Sequence, residues 1–169
     1  MTSSGYISVR AGALRMLVAA LVLAAALVAV GFAWRAHAAG DALQQSREQL
    51  RERAGTIVAD VFSVDSTRWQ QDRSRARALV ARDFLDSYGA QLSRPPEQGT
   101  AAVVWRPEVV SVVDADDTEG QALLRVAVTV RSDAPARSEA AATTVRRSVL
   151  ARFVRADDAW LLAAADVIG

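Results

Sequence analysis

Cysteine, lysine and asparagine are absent from the 169 residues, and histidine occurs once, at His37. Without cysteine there is no disulfide, no thiolate nucleophile and no Cys-based zinc site. A catalytic triad would have to use His37, and no cluster of partner residues surrounds it in the sequence. A transition-metal site of the His/Cys kind fails for the same reason. Calcium chemistry fails on spacing. An EF-hand loop needs Gly at its sixth and Glu at its twelfth position. Counted from Asp114 in the acidic run Asp114–Gly120, those positions hold Glu119 and Arg125. That run reads as a solvated hairpin turn. No cofactor, no metal and no catalytic residue are expected. The exclusive use of arginine, with abundant alanine, reflects the coding bias of a G+C-rich genome.

The charge that is present is unevenly placed. Residues 1–35 carry Arg10, Arg15 and Arg35 and no acid, whereas the remainder carries 17 arginines against all 19 acids. A weakly acidic, mixed-sign domain lacks the basic stripe of a nucleic-acid binder, so no nucleic-acid partner is expected.

Met16 to Trp34 is 19 residues without a charge, bracketed by Arg15 and Arg35. As a helix this run measures about 28 Å, against a hydrocarbon thickness of about 30 Å. Trp34 stands where an interfacial aromatic would, and His37 reads as a juxtamembrane residue. The competing reading is a cleaved signal peptide with Ala36-His37-Ala38 as its site. A signal core is shorter than this run, which favours a retained anchor. Cleavage after Ala38 stays open. The short basic tail is expected to remain cytoplasmic and the long domain to be translocated. The expected organisation is a cytoplasmic tail over 1–15, a transmembrane helix over 16–34, and a stalk with a first amphipathic helix over 35–63. The rest of an extracytoplasmic domain occupies 64–169. The lipid bilayer is the first expected partner, and the plasma membrane the expected location. Ala25, Ala29 and Ala33 recur every four residues, a spacing that permits self-association of spans.

In the outer domain, Leu43, Leu50, Ala54, Ile57 and Val61 predict an amphipathic helix over 41–63, with Gly55 costing about 1 kcal/mol of helix propensity. Asp65-Ser66-Thr67 read as turn and cap residues. A second helix is predicted over 73–92 with Asp72 as N-cap, its apolar face carrying Ala76, Leu79, Val80, Phe84, Tyr88 and Leu92. Ser93-Arg94-Pro95-Pro96-Glu97-Gln98-Gly99 reads as a loop. Four β-rich stretches follow, at 101–113, 122–130, 143–155 and 160–168. Pro107 belongs at an edge or bulge, Asp157-Asp158 at a turn, and Ser132–Ala142, with Pro135, in a loop. Helices followed by a meander predict an α+β fold: a cone of helices packed on a curved antiparallel sheet of about four strands.

Candidate chemistry is sparse. Asp83 and Asp86 share a helix face near Tyr88 and suit acid–base work in a pocket, as does Asp60 if buried. Arg82 and Asp86 also suit an i, i+4 surface pair. Arg68, Arg73, Arg75, Arg77 and Arg82 suit anionic headgroups or a solvated face. Trp69, Trp105 and Trp160, with Phe84 and Tyr88, are the candidates to line an apolar ligand pocket; the same rings also suit a core.

Several segments together carry a family resemblance. They are Phe62-Ser63-Val64-Asp65, the run Arg82-Asp83-Phe84-Leu85-Asp86-Ser87-Tyr88, the strands Pro107–Val113 and Ala122–Val130, and the closing Asp157-Asp158-Ala159-Trp160-Leu161-Leu162. The layout resembles the Mce-associated membrane proteins of actinobacteria, whose outer domain is similar to the nuclear-transport-factor-2-like and SnoaL-like cone. Ser66 and Thr67 stand where that family often has tyrosines. The resemblance implies a non-catalytic accessory or scaffold subunit beside an Mce-type lipid or sterol import complex in the cell envelope, with the proteins of that complex as partners. It supplies no catalytic residues. Two alternatives stay open. One is an assembly subunit of a conjugation or type IV-like secretion system, some of which resemble this chain in layout. The other is a SnoaL-like enzyme or a lipid-binding domain.

Overall fold

The structure is a computed structural model and describes residues 9–133 and 142–168, with the side chains of 9–15, 32–33 and 35–39 outside that description. The tail over 1–8, the side chains of Ala36-His37-Ala38 and of Ala33, and the loop around Pro135 therefore lie outside the described residues. The chain divides into two units after Ala42.

Helix α1 covers Val9–Phe62. In the first unit its described large apolar side chains are exposed, from Met16 at 79% to Trp34 at 81%. Among the described residues no helix is long and apolar enough to cross a membrane. The uncharged run 16–34 passes through positions 32 and 33, so its fully described part is the shorter stretch 16–31.

The second unit begins at Leu43. Here α1 is amphipathic: Leu50, Ala54, Ile57, Val58 and Val61 are buried at helical spacing, while Leu43, expected on that face, is 44% exposed. Strand β1, Val64–Asp65, follows at once, then α2, Trp69–Arg77, and α3, Arg82–Leu92. The single helix predicted over 73–92 is thus two helices. The cause is tertiary. Val80 forms a parallel bridge with Leu162, flanked by Leu162 N–H donating to Leu79 O at 2.9 Å and Ala81 N–H donating to Leu162 O at 2.8 Å. These bonds satisfy backbone groups that a continuous helix would have paired internally. Asp72 is not an N-cap. It lies inside α2, 9% exposed, and its Oδ2 accepts the Asp65 N–H at 3.0 Å, tying β1 to the helix.

The sheet has five antiparallel strands in sequence order, one more than expected: β1, then β2 at Thr100–Ala115, β3 at Glu119–Ser132, β4 at Ala142–Ala156 and β5 at Ala159–Val167. The added strand is β1, whose two residues pair with Val103 and Ala102. Pro107 sits at a register shift between β2 and β3, past the reach of β1, as its missing donor requires. Further shifts in β2 and between β4 and β5 curve the sheet. Asp157 and Asp158 make the last turn with φ of 48° and 62°, the left-handed pair of a two-residue hairpin loop.

One sheet face packs on the helices. Ala122, Leu124 and Val126 of β3, Val149, Ala151 and Phe153 of β4, and Leu162 of β5 join Leu50, Val58, Val61, Val80 and Phe84 in a single core. Two glycines allow the close approach of α1. A Cβ on Gly120 would overlap Leu50 Cδ2, and one on Gly55 would come within 3.3 Å of Pro107 Cβ and Val110 Cγ2. Gly55 therefore gives up helix propensity for contact with the sheet.

Candidate functional site

The five aromatic candidates do not converge on one pocket. Three are joined through a ring outside that set of five, Phe62 at the end of α1. Phe62 stacks on Trp105 with centroids 4.6 Å apart and meets Phe84 edge-on at 6.1 Å, and Phe84 stacks on Tyr88 at 5.0 Å. The row ties α1, α3 and β2 together and fills the space between helices and sheet. Its sequence signal was the Phe62-Ser63-Val64-Asp65 segment itself. Ser63 adds a link, its Oγ accepting the Trp105 backbone N–H at 3.0 Å. Trp69 is half-buried at the start of α2.

Trp160 belongs to a separate cleft of about 500 Å³ between α1, the α2–α3 connection and the β4–β5 turn. Ile57, Leu79 and Leu161 supply its apolar wall, and Glu52, Arg53, Arg155 and Asp158 its charged rim. Trp160 is only 5% exposed, and the Arg155 guanidinium lies 5.8 Å from its ring centroid, within cation–π range. Arg155 also pairs with Asp158 at 3.5 Å. The indole N–H of Trp160 is buried without a partner among the described residues.

Asp60, Asp83 and Asp86 are all exposed. Asp60 lines a polar notch of about 210 Å³ with Asp65, Asp72, Arg68, Arg75 and Arg131. No Arg82–Asp86 ion pair forms among the described residues. Of the arginines offered to headgroups, two are structural. Arg73 Nη1 donates to Val61 O at 3.3 Å and Arg77 Nη2 to Ser93 Oγ at 2.8 Å. Burial lowers the pKa of Arg73, with the neighbouring Asp72 charge opposing. Arg68 pairs with Asp72 at 3.8 Å. Among the described residues no group of acids or histidine is placed to hold a metal ion.

The acidic turn is a hairpin stop, as its composition predicted. Asp116 Oδ1 accepts from Thr118 N–H at 2.7 Å, Thr118 Oγ1 at 2.9 Å and Glu119 N–H at 2.7 Å. Those donors, the Glu119 and Thr118 amides first, hold the exposed Asp116 carboxyl below its usual range.

The outer sheet face was not anticipated. Cross-strand register places Arg106, Ala127 and Arg146 in one row, with Val104, Thr129 and Thr144 beside it. Arg131, Arg125 and Arg152 share this face and, like Arg106 and Arg146, are exposed. What brings these arginines together is the alignment of neighbouring strands, which was not legible in the sequence.

No family model matches the chain, and no curated protein matches it. Among solved structures, the chain is similar to an IcmL-like type IV secretion system protein from Legionella pneumophila, with a TM-score of 0.59 and 13% identity. The alignment covers 72% of this chain and 91% of that one. At such identity the likeness defines the fold: an α+β domain in which a long helix and two short ones pack on a curved antiparallel meander.

Proposed function

We propose that this protein is a non-catalytic assembly subunit of a type IV-like secretion or conjugation system, anchored in the plasma membrane by its N-terminal helix with the α+β domain outside. The observation that carries the reading is the fold likeness, which takes in 91% of the solved chain of a secretion-system protein. Two features support it. The uncharged run 16–34 has a span's length, and its described large apolar side chains have no protein core to enter, as expected of a lipid-facing helix. The space between helices and sheet is packed with Phe62, Phe84, Phe153 and aliphatic side chains, which favours a scaffold over a SnoaL-like enzyme.

A second reading, an accessory subunit of an Mce-type lipid importer, keeps its support from the sequence resemblance at Phe62–Asp65, Arg82–Tyr88 and Asp157–Leu162. The Trp160 cleft is where that reading would put an apolar ligand.

Crosslinking and mass spectrometry of the tagged, membrane-embedded protein in its native host separates the two. Recovery of secretion ATPases and their envelope subunits is the expected result. Recovery of Mce or permease subunits instead overturns the first reading in favour of the second. Protease added to spheroplasts should remove the domain; full protection contradicts the topology.

A further inference from the structure

The outer sheet face carries a groove of about 460 Å³ in which Arg106, Arg131 and Arg146 stand with Glu108, Thr129 and Thr144. Glu108 is the acid that lines this groove, and Arg131 also faces the Asp65 carboxylate across the adjoining notch, so Arg106 is the base left without an acid beside it. Glu108 takes only Arg146 Nε, at 3.1 Å to each carboxylate oxygen, and leaves the terminal nitrogens of that guanidinium free of described partners. Arg106 has no ion-pair partner among the described residues. The two threonine hydroxyls share a 2.9 Å hydrogen bond on the groove wall. Fixed, exposed guanidinium forks on a rigid sheet suit carboxylates.

The opposite end of the same sheet has the opposite charge. The β2–β3 and β4–β5 hairpins meet there, joined by Arg155 N–H donating to Thr118 O at 2.7 Å. Asp116, Asp117, Glu119, Asp157 and Asp158 crowd this end and are all exposed. With Asp114 they make six acids against three bases: Arg155 pairs with Asp158, Arg47 pairs with Asp114, and Arg152 lines the notch beside Asp116 and Glu119. Along β3, Thr129 lies ten residues from Glu119, or about 33 Å at strand rise. That separation is several Debye lengths at physiological salt, so the two ends of one molecule cannot neutralise each other. Two molecules can.

We propose that the outer domain associates head to tail, the acidic hairpin end of one copy seated in the arginine groove of the next. The contact is heterologous: a tip meets a groove and never another tip. Repetition of such a contact closes into a ring or extends as a row. The inference rests on charge placement within this chain and is independent of which envelope machine the protein serves.

The absence of cysteine makes the test clean. Two full-length variants, Thr118→Cys at the tip and Thr129→Cys in the groove, are co-expressed with different tags and oxidised in native membranes. The expected result is a mixed Thr118→Cys/Thr129→Cys disulfide that weakens as salt is raised. Adding Arg106→Glu and Arg131→Glu to the groove copy should remove it. Adding Asp117→Arg and Glu119→Arg to the tip copy should then restore it, which a folding defect could not do. A mixed disulfide that forms regardless of these charges overturns the proposal. So do tip-to-tip disulfides in place of mixed ones, no disulfide although both thiols react with maleimide, and a groove thiol crosslinked only to a different acidic protein.

Discussion

The two faces of the sheet are built from the same strands and answer to different physics. On the inner face, Leu124, Val126, Val149, Ala151 and Phe153 are wholly buried under the helices. On the outer face, their strand neighbours Arg125, Arg146 and Arg152 stand in solvent. Alternation with period two puts adjacent residues into opposite environments. Stability is therefore concentrated on one face, while the other is free to carry recognition chemistry at little cost to the fold.

The largest test of that division is Phe153→Ala. Phe153 is in register with Gly120 on one side and Leu162 on the other, at zero exposure. Its loss should cost about 3–5 kcal/mol in urea unfolding, the usual toll for emptying a buried aromatic site. A loss below 1 kcal/mol would mean that the inner face is looser than its burial indicates. Gly120→Val probes the same face by overfilling. The new side chain meets Leu50, so about 1–3 kcal/mol should be lost, and the same change should cost less when made in a Leu50→Ala background. Strict additivity of the two changes would show that Leu50 is not what Gly120 accommodates.

Asp116, at the hairpin tip where the faces meet, should act through pH. Its folded pKa lies below the ordinary 3.8 because the Glu119 and Thr118 amides bind the charged form. A depressed carboxyl contributes stability that is fully present above its unfolded pKa and is lost as pH falls through the folded value. The difference in unfolding midpoint between the protein and its Asp116→Ala variant should therefore shrink below about pH 4. A gap that widens in acid would contradict the assignment. The smallest effect is expected on the outer face itself. Arg125→Ala should change stability by no more than about 0.5 kcal/mol; a larger loss would show that the outer face also holds the fold.

Much of the architecture was legible locally. The amphipathic stretch of α1 is written in the spacing of Leu50, Ala54, Ile57 and Val61, all buried as their period demands. Pro107 announced an edge or a bulge, of which the structure has the register shift, and Asp157-Asp158 announced a turn. The break at Val80 was not legible, because what interrupts the helix is the edge of β5 at Leu162, more than eighty residues on. Asp72 looked like a cap since acids favour helix starts. Its real task, accepting the Asp65 amide, depends on the two-residue strand before it. Of the aromatic candidates, Phe84 and Trp160 are buried. Which rings touch was decided by Phe62, which reaches Trp105 only when α1 lies across β2.

The sequence by itself determined the class of the protein's chemistry: no thiol, one histidine, one long uncharged run, and an α+β order of helices before strands. These follow from composition and local period, which need no partner elsewhere in the chain. Only the tertiary structure decided that α2 and α3 are separate, that Trp160 stands apart from the other aromatics, and that Arg106, Arg131 and Arg146 share one groove. Those outcomes depend on strand register. Register is set by bulges and by packing between residues far apart in sequence, where each contact gains its energy only after the chain between has been ordered.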